Sequence, residues 1–433
     1  MKTRILIVGG GFAGVSAARE LERISRGHDV QLTLIDRQNY QLFTPMLPEV
    51  ASGSLETRHI TQALRAGLKS TQFELGEVIG IDTAARSLTL RHPLTHDSRT
   101  LDYDELVLAL GSTNSTMGVP GVEKFTLALK TIADAVEIRN RVIGALEVAA
   151  KTLDLQERDR LLRFVVVGGG FTGVEAVGEL QGFVHSILRY YPTIERSQID
   201  VVLVESGARL LAHLPTKFGK SAAASLSERA VRIILGTRVS AADCRGLELE
   251  DKRRFESHTI VWATGLEPSP LVKKLGLETS EHGALKVNGD LSVRGQQHLW
   301  AFGDCAAVPK PGGGTYAPLA QNAIREGSLV AHNLLASLKG KPTRNFRYRE
   351  LGQMASLGDR QAIAELPGGR MLTGISAWLL WRAYYLSRLP GWNRKARVAL
   401  DWSLEMVFPR GVARLPMVER SETSFEGLHA LSR

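Results

Sequence analysis

The chain carries very little cysteine: two residues, Cys244 and Cys305, in 433. Two distant thiols cannot build a disulfide framework or a cysteine-rich metal centre, so no metal is expected, and the scarcity suits a reducing compartment such as the cytosol. Long apolar runs are also missing. No stretch reaches 18 apolar residues, so no helix is expected to span a bilayer. The apolar run at residues 5–8 is short and leads straight into glycines, which argues against a signal peptide. There is no low-complexity tract, and only residues 418–433 are expected to form a loose tail. What remains is ordinary globular composition, 44% hydrophobic and 23% charged, in a length that suggests two or three domains.

The net charge of +9 is unevenly placed. Residues 370–414 hold eight basic and two acidic side chains, a local excess of six. Such a segment is a solvated basic face, a nucleic-acid surface or a surface for anionic membrane.

The most informative feature is an internal repeat. RILIVGGGFAGVSAARELE starts at Arg4 and RFVVVGGGFTGVEAVGELQ at Arg163. Each is an Ile/Val-rich strand, a glycine turn and a helix with apolar residues at helical spacing. Each then reaches a second apolar run closed by an acid, QLTLID at Asp36 and DVVLVE at Glu205. Two nucleotide-binding βαβ units follow. In the first, Gly9 allows the tight turn, Gly11 lets a pyrophosphate approach the backbone, and Gly14 permits close helix–strand packing, with Phe12 and Ala13 between them. Asp36, 22 residues beyond Gly14, is placed to accept ribose hydroxyls. Gly168, Gly170 and Gly173, with Phe171 and Thr172, repeat the arrangement, and Glu205 supplies the acid. An acid there favours the free 2′-hydroxyl of NADH over the phosphate of NADPH, and Arg209 lies near enough to soften the preference.

Two dinucleotide sites on one chain imply transfer between two dinucleotides, FAD in the first and NADH in the second, with the hard chemistry belonging to the cofactors. DELVLALGS, containing Gly111, and HTIVWATGL, containing Thr264 and Gly265, each close a nucleotide unit. LWAFGDCA, with Gly303 and Asp304, returns the chain to the first. The expected fold class is α/β: two Rossmann-like domains plus a C-terminal helical membrane-association region. The expected boundaries are 1–114 and 286–336 for FAD, 115–285 for NADH, 337–416 for the C-terminal region and 417–433 for the tail.

The stretch after the first unit, DRQNYQLFTPMLPEVASG, lacks the cysteine pair of disulfide reductases. Together with GGGFTGVEAVGEL (168–180), FGDCA (302–306), PLAQNAIREG (318–327) and AWLLWRAYYL…NRKARVALDW (377–402), it resembles the single-chain, non-proton-pumping type II NADH:quinone oxidoreductases. The resemblance implies that Asp36 holds the FAD ribose, that Thr44 and Pro45 lie near the flavin ring, and that Asp304 contacts the ribityl-phosphate part. It further implies that Glu175 is the acid beside nicotinamide and flavin, and that Ala320 and Gln321 form the pair at the flavin and quinone site. Asn322 and Arg325 depart from the motif.

Residues 375–408 hold Trp378, Trp381, Trp392 and Trp402 among Arg382, Arg388, Arg394, Lys395 and Arg397. Aromatic and basic residues on short helices suit the bilayer interface, here an anionic lipid surface on the cytoplasmic face of the membrane, with the enzyme peripheral and monotopic. The alternative is a subdomain packed on the protein or forming a homodimer. Nucleic acid is disfavoured, since the aromatics cluster with Leu379, Leu380 and Leu386 rather than lining a basic groove. Two rival functions are a sulfide:quinone or soluble-acceptor reductase, and a flavin-binding interaction protein controlled by redox state.

Overall fold

The computed structural model describes residues 2–349 and 352–415. The first unit contains β1 (Thr3–Val8), α1 (Phe12–Ile24), β2 (Val30–Asp36), α2 (Leu47–Ala51), β3 (Gln72–Leu75) and β4 (Glu105–Leu108). The chain leaves it through β5 (Ser112–Asn114). The second unit contains β6 (Leu127–Ala128), α3 (Ile132–Ala149), β7 (Arg163–Val167), α4 (Phe171–Ile187), β8 (Asp200–Glu205), β9 (Val231–Leu235) and β10 (Thr259–Trp262). β11 (Leu266–Pro268) leads back, and β12 (Leu299–Ala301) and α5 (Ala320–Leu338) complete the first unit. A C-terminal region follows, with β13 (Met354–Gly358), β14 (Gln361–Leu366), β15 (Arg370–Thr373), α6 (Gly374–Arg388) and α7 (Trp392–Glu405).

Two five-stranded parallel sheets carry the repeat, in the orders β12-β4-β1-β2-β3 and β6-β10-β7-β8-β9. β1 and β7 are central in their sheets and almost wholly buried, as their Ile/Val runs require. The registers Val8↔Ile35 and Val167↔Val204 bring each glycine turn beside the acid that ends the next strand. β5 and β11 pair antiparallel, Ser112 opposite Pro268, as a two-strand hinge between the units. After β11, Val272, Leu285 and Val287 enter the core of the first unit. The chain thus packs against the first unit again from about residue 270 onward.

The second unit's core is shared. Met46 and Leu47 at α2, Phe164 and Phe183, and Trp381 and Trp402 from the C-terminal region pack in one cluster. Two expectations about that region are corrected. Its helices are preceded by a three-stranded antiparallel sheet, β13-β14-β15. Three of its four tryptophans, Trp378, Trp381 and Trp402, are buried in protein, and only Trp392 stands in solvent. β13 lies so close to α4 that a Cβ at Gly178 would fall on the Leu357 carbonyl and 3.1 Å from Gly358 N. The expected tail at 417–433 lies outside the described residues.

Candidate active site

Gly9 sits at φ +114, and a Cβ there would collide with the Ala109 carbonyl, 2.7 Å from its carbon. Gly14 faces Gly9, where a Cβ would lie 3.1 Å from the Gly9 carbonyl carbon. Gly11 differs: nothing lies within 4 Å of its missing Cβ. It caps α1 without any side-chain cap, so the first-turn N–H groups of α1 are left for an outside acceptor at the positive end of the helix. Asp36 Oδ2 accepts from Gly10 N at 2.5 Å and Oδ1 from Gln38 N at 2.7 Å. Burial raises the pKa of this carboxyl.

The second turn repeats these relations. Gly168, at φ +113, abuts Ala263 and Thr264, with a Cβ falling 2.7 Å from Ala263 O and 2.9 Å from Thr264 Cβ. A Cβ at Gly173 would strike the Gly168 carbonyl, 2.8 Å from its carbon, while Gly170 again faces open space. Glu205 accepts from Gly169 N and Gly207 N, each at 2.5 Å. Arg209 does not reach toward Glu205's site as a free cation: Nη1 and Nη2 donate to Leu214 O and Ala212 O, each at 2.7 Å. Two uncapped helix starts with an open glycine and a strand-end acid fit two diphosphate-linked nucleotides.

Around the first turn, a Cβ at Gly303 would stand 3.2 Å from Ala13 Cβ and 3.7 Å from Ala323 Cβ. Gly303, the start of α1 and the start of α5 are thus one neighbourhood. Asp304 Oδ2 accepts from the Ser112 hydroxyl at 2.6 Å. Glu326, buried in α5, accepts from Gly303 N at 2.8 Å, and burial pushes its carboxyl up to about 7. Ala320 and Gln321 open α5. The Tyr348 hydroxyl donates to Gln321 Oε1 at 3.4 Å, and Arg325 stacks over the Tyr348 ring at 4.0 Å while bonding Gln321 O at 2.6 Å. Gly111 turns the chain after β4 at φ +65. Gly265, at φ +73, accepts from Ser115 N at 3.0 Å beside the hinge.

Glu175 lies one residue past the first turn of α4, so the helix dipole alone does not account for it. It is buried, and Ser356 N of β13 donates to its Oε1 at 3.1 Å. The Trp381 indole N–H favours the charged form from nearby without reaching hydrogen-bond geometry. Burial dominates and pushes the carboxyl up to about 8. Trp381 packs at a tilt against Tyr385 (ring centroids 4.6 Å apart), and Tyr385 with Phe43 (6.0 Å) and Phe43 with Phe12 (5.6 Å) meet edge to face. This aromatic chain runs from α6 past Thr44 and Pro45, in a single helical turn after Phe43, to the first glycine turn.

Sequence reasoning did not name Ser356, Trp381, Tyr385, Tyr348 or Glu326 as site residues. It also missed a buried ionic cluster below Glu175. Glu179, one turn along α4, accepts from Ser52 at 2.9 Å and Arg410 at 3.3 Å. Arg410 also bonds Glu405 at 2.5 Å, and Arg382, stacked over Trp378 at 3.9 Å, bonds Glu405 at 3.1 Å. Glu49 of α2 accepts from Trp402 Nε1 at 3.0 Å, and burial, then the nearby Glu179, pushes it well above the usual carboxylate range. Two acids four residues apart in the otherwise apolar GVEAVGEL were the available signal. Cys305 is buried, its thiol pushed up to about 12 by burial, and bonds Leu108 O and Phe302 O, which is a packing role.

Comparison with known proteins agrees with this architecture. The pyridine nucleotide-disulphide oxidoreductase family matches residues 3–327, and the NDH2 C-terminal domain matches residues 351–411. A type II NADH:quinone oxidoreductase of Mycobacterium tuberculosis is 33% identical over 94% of this chain and 89% of its own length. The external alternative NADH-ubiquinone oxidoreductase of Yarrowia lipolytica is 29% identical over 95% of this chain and 81% of its own length. Among solved structures, NDH2 from Plasmodium falciparum in complex with NADH superposes with a TM-score of 0.88 at 20% identity, covering 95% of this chain and all of that one. The chain belongs to the pyridine nucleotide-disulphide oxidoreductases and, within them, to the type II NADH:quinone oxidoreductase family.

Proposed function

We propose that this chain is an FAD-dependent NADH:quinone oxidoreductase, the first glycine turn holding FAD and the second NADH. Bound FAD supplies a two-electron carrier that takes hydride from NADH and yields its electrons to a quinone. Gly9, Gly11, Phe12, Ala13, Gly14 and Asp36 would hold the flavin nucleotide, with Thr44, Pro45, Gly111, Gly303, Asp304 and Ala320 around its remainder. Gly168, Gly170, Phe171, Thr172, Gly173, Glu205, Thr264 and Gly265 would hold NADH. The observation that carries this reading is the convergence at Glu175. The helix headed by the second glycine turn presents a buried acid to the C-terminal strand, while the aromatic chain through Tyr385 and Phe43 leads on to the first turn.

On this reading Glu175, pushed up to about 8, holds a proton at neutral pH beside the site, and Gln321 offers its amide to a quinone carbonyl. Glu205 disfavours a 2′-phosphate, and Arg209, committed to two carbonyls, offers no compensation. NADH is therefore the preferred donor.

The finer reading of location is also a proposal. Among the described residues no helix is long and apolar enough to cross a membrane. Ile375, Leu379 and Trp392, then Leu400, Val407 and Phe408, expose apolar surface beside the exposed Arg388 and Arg397. This replaces the buried tryptophans as the argument for a peripheral contact with anionic lipid on the cytoplasmic face.

Anaerobic titration tests the function. NADH should bleach the flavin absorbance, and a quinone should restore it. A colourless protein that takes up no FAD refutes the assignment. Bleaching that no quinone reverses points instead to a redox-controlled binding module.

A further inference from the structure

Lys130 is a half-buried lysine that the reaction above does not use. Its backbone is fixed, because Lys130 N donates to Asp134 Oδ2 at 2.9 Å within the capping box that starts α3. It stands two residues beyond the end of β6, the edge strand of the second sheet. Its ammonium donates to Ser112 Oγ at 3.0 Å. Ser112 lies in the hinge strand β5 and is 2.6 Å from Asp304 Oδ2 in the first unit.

The protons in this chain have one arrangement. An ionised Asp304 only accepts, so the single Ser112 hydroxyl proton points to Asp304. Ser112 then meets Lys130 through an oxygen lone pair, and the ammonium is the donor. Lys130 to Ser112 to Asp304 is thus a polarised relay with its charge-assisted bonds at the two ends. It spans the second unit, the hinge and the first unit. The described residues give Asp304 Oδ1 no donor, so the relay fixes one carboxylate oxygen and leaves the other open.

We propose that Lys130 is a positioning residue for the flavin: through Ser112 it orients Asp304, and flavin retention thereby depends on the second nucleotide-binding unit. The proposal rests on Asp304 contacting the ribityl-phosphate part of FAD.

The test uses the full-length holoprotein and measures FAD dissociation by the rise of flavin fluorescence on dilution. Lys130→Met and Ser112→Ala each break the relay once. Each should weaken FAD retention by about tenfold, the loss of one charge-assisted bond. The double variant should be no weaker than either single one, because neighbours acting through one contact are not additive. Lys130→Arg should restore most retention. FAD retention in Lys130→Met within twofold of the parent overturns the proposal, as does a double variant whose loss is the product of the singles. If Asp304→Asn weakens FAD while Lys130→Met does not, the relay alone fails. If Asp304→Asn leaves FAD binding unchanged, the placement of Asp304 at the flavin fails, and the relay with it. Should Lys130→Met fold poorly in the apo form, Ser112→Ala carries the same comparison.

Discussion

Two alanine substitutions three residues apart should separate ligand contact from backbone contact. At Gly170 the backbone has φ −76, open to any L-residue, and an added Cβ meets no protein atom within 4 Å. Gly170→Ala should therefore change stability by no more than about 1 kcal/mol, the N-cap preference for glycine being offset by reduced freedom of the unfolded chain. The same methyl projects over the first-turn N–H groups where a pyrophosphate must approach. KM for NADH should rise tenfold or more, about 1.4 kcal/mol of lost binding, with kcat at saturating NADH near the parent value. Gly173→Ala behaves oppositely. Its Cβ falls on the Gly168 carbonyl, 2.8 Å from the carbonyl carbon, so α4 must move off β7. Relief of such backbone overlap costs about 3 kcal/mol or more, and the thermal midpoint should drop by several degrees. Steady-state kinetics and a thermal melt on both variants decide the matter. A normal KM for NADH in Gly170→Ala, or equal loss of midpoint in the two variants, would refute the division of roles.

Three further expectations concern buried acids and the exposed face. Between its ordinary value of 4.5 and about 8, folded Glu175 keeps a proton that the unfolded chain has released. Stability should thus fall with rising pH across that window by about 1.4 kcal/mol per unit and be flat on either side. Glu175→Gln removes this slope, so its stability relative to the parent should improve by about 3 kcal/mol between pH 6 and 8.5; parallel denaturation midpoints would contradict it. In the ionic cluster, burial favours the neutral form of Glu49, so Glu49→Gln should cost within about 1 kcal/mol. Glu405→Gln takes from Arg382 its hydrogen-bonded carboxylate and from Arg410 one of two and should cost about 3 kcal/mol, read from denaturant midpoints; equal costs would contradict this ranking. Aspartate at both Val407 and Phe408, 76% and 61% exposed, should spare folding and abolish flotation with anionic vesicles. Unchanged flotation removes the lipid contact from this face, and a change only in sedimentation makes it a dimer surface.

The nucleotide units were legible because each is a local signal. An Ile/Val run, three glycines at fixed spacing, a helical period and a closing acid lie within about forty residues, and backbone sterics leave few other solutions. The C-terminal sheet was not legible. Its hairpin turns through Gly358, Asp359 and Arg360, with φ of +74, +46 and +60. Gly358 and Asp359 are residue types that such a conformation favours, but Arg360 is not, and the usual Asn-Gly or Asp-Gly pair is missing. The tryptophans misled for another reason. On α6 both faces are apolar, and sequence spacing alone does not say which is inside. Trp378, Trp381 and Ala377 face protein, while Ile375, Leu379 and Leu380 face out. Arg382, one turn after Trp378, looked like part of a basic surface, but it stacks inward over Trp378 and Trp402 to meet Glu405. Contacts such as Glu175 with Ser356, separated by 181 residues, leave no trace in local pattern.

The position of α6 ties these observations together. One side of the helix supplies Trp381 and Tyr385 to the neighbourhood of Glu175 and Phe43. The other side carries the exposed Ile375 and Leu379. β13, in the sheet that precedes the helix, supplies the Ser356 N–H to Glu175. Removing the C-terminal region would therefore do more than detach a surface anchor. It would strip a buried acid of its backbone donor, open the core shared by α2 and α4, and leave Glu179 without Arg410. On the proposed reading of a lipid-soluble acceptor, α6 carries an exposed apolar face on one side and aromatic rings beside Glu175 on the other. A variant that tests the proposed lipid contact should therefore alter the exposed residues of α6 and α7 rather than shorten the chain.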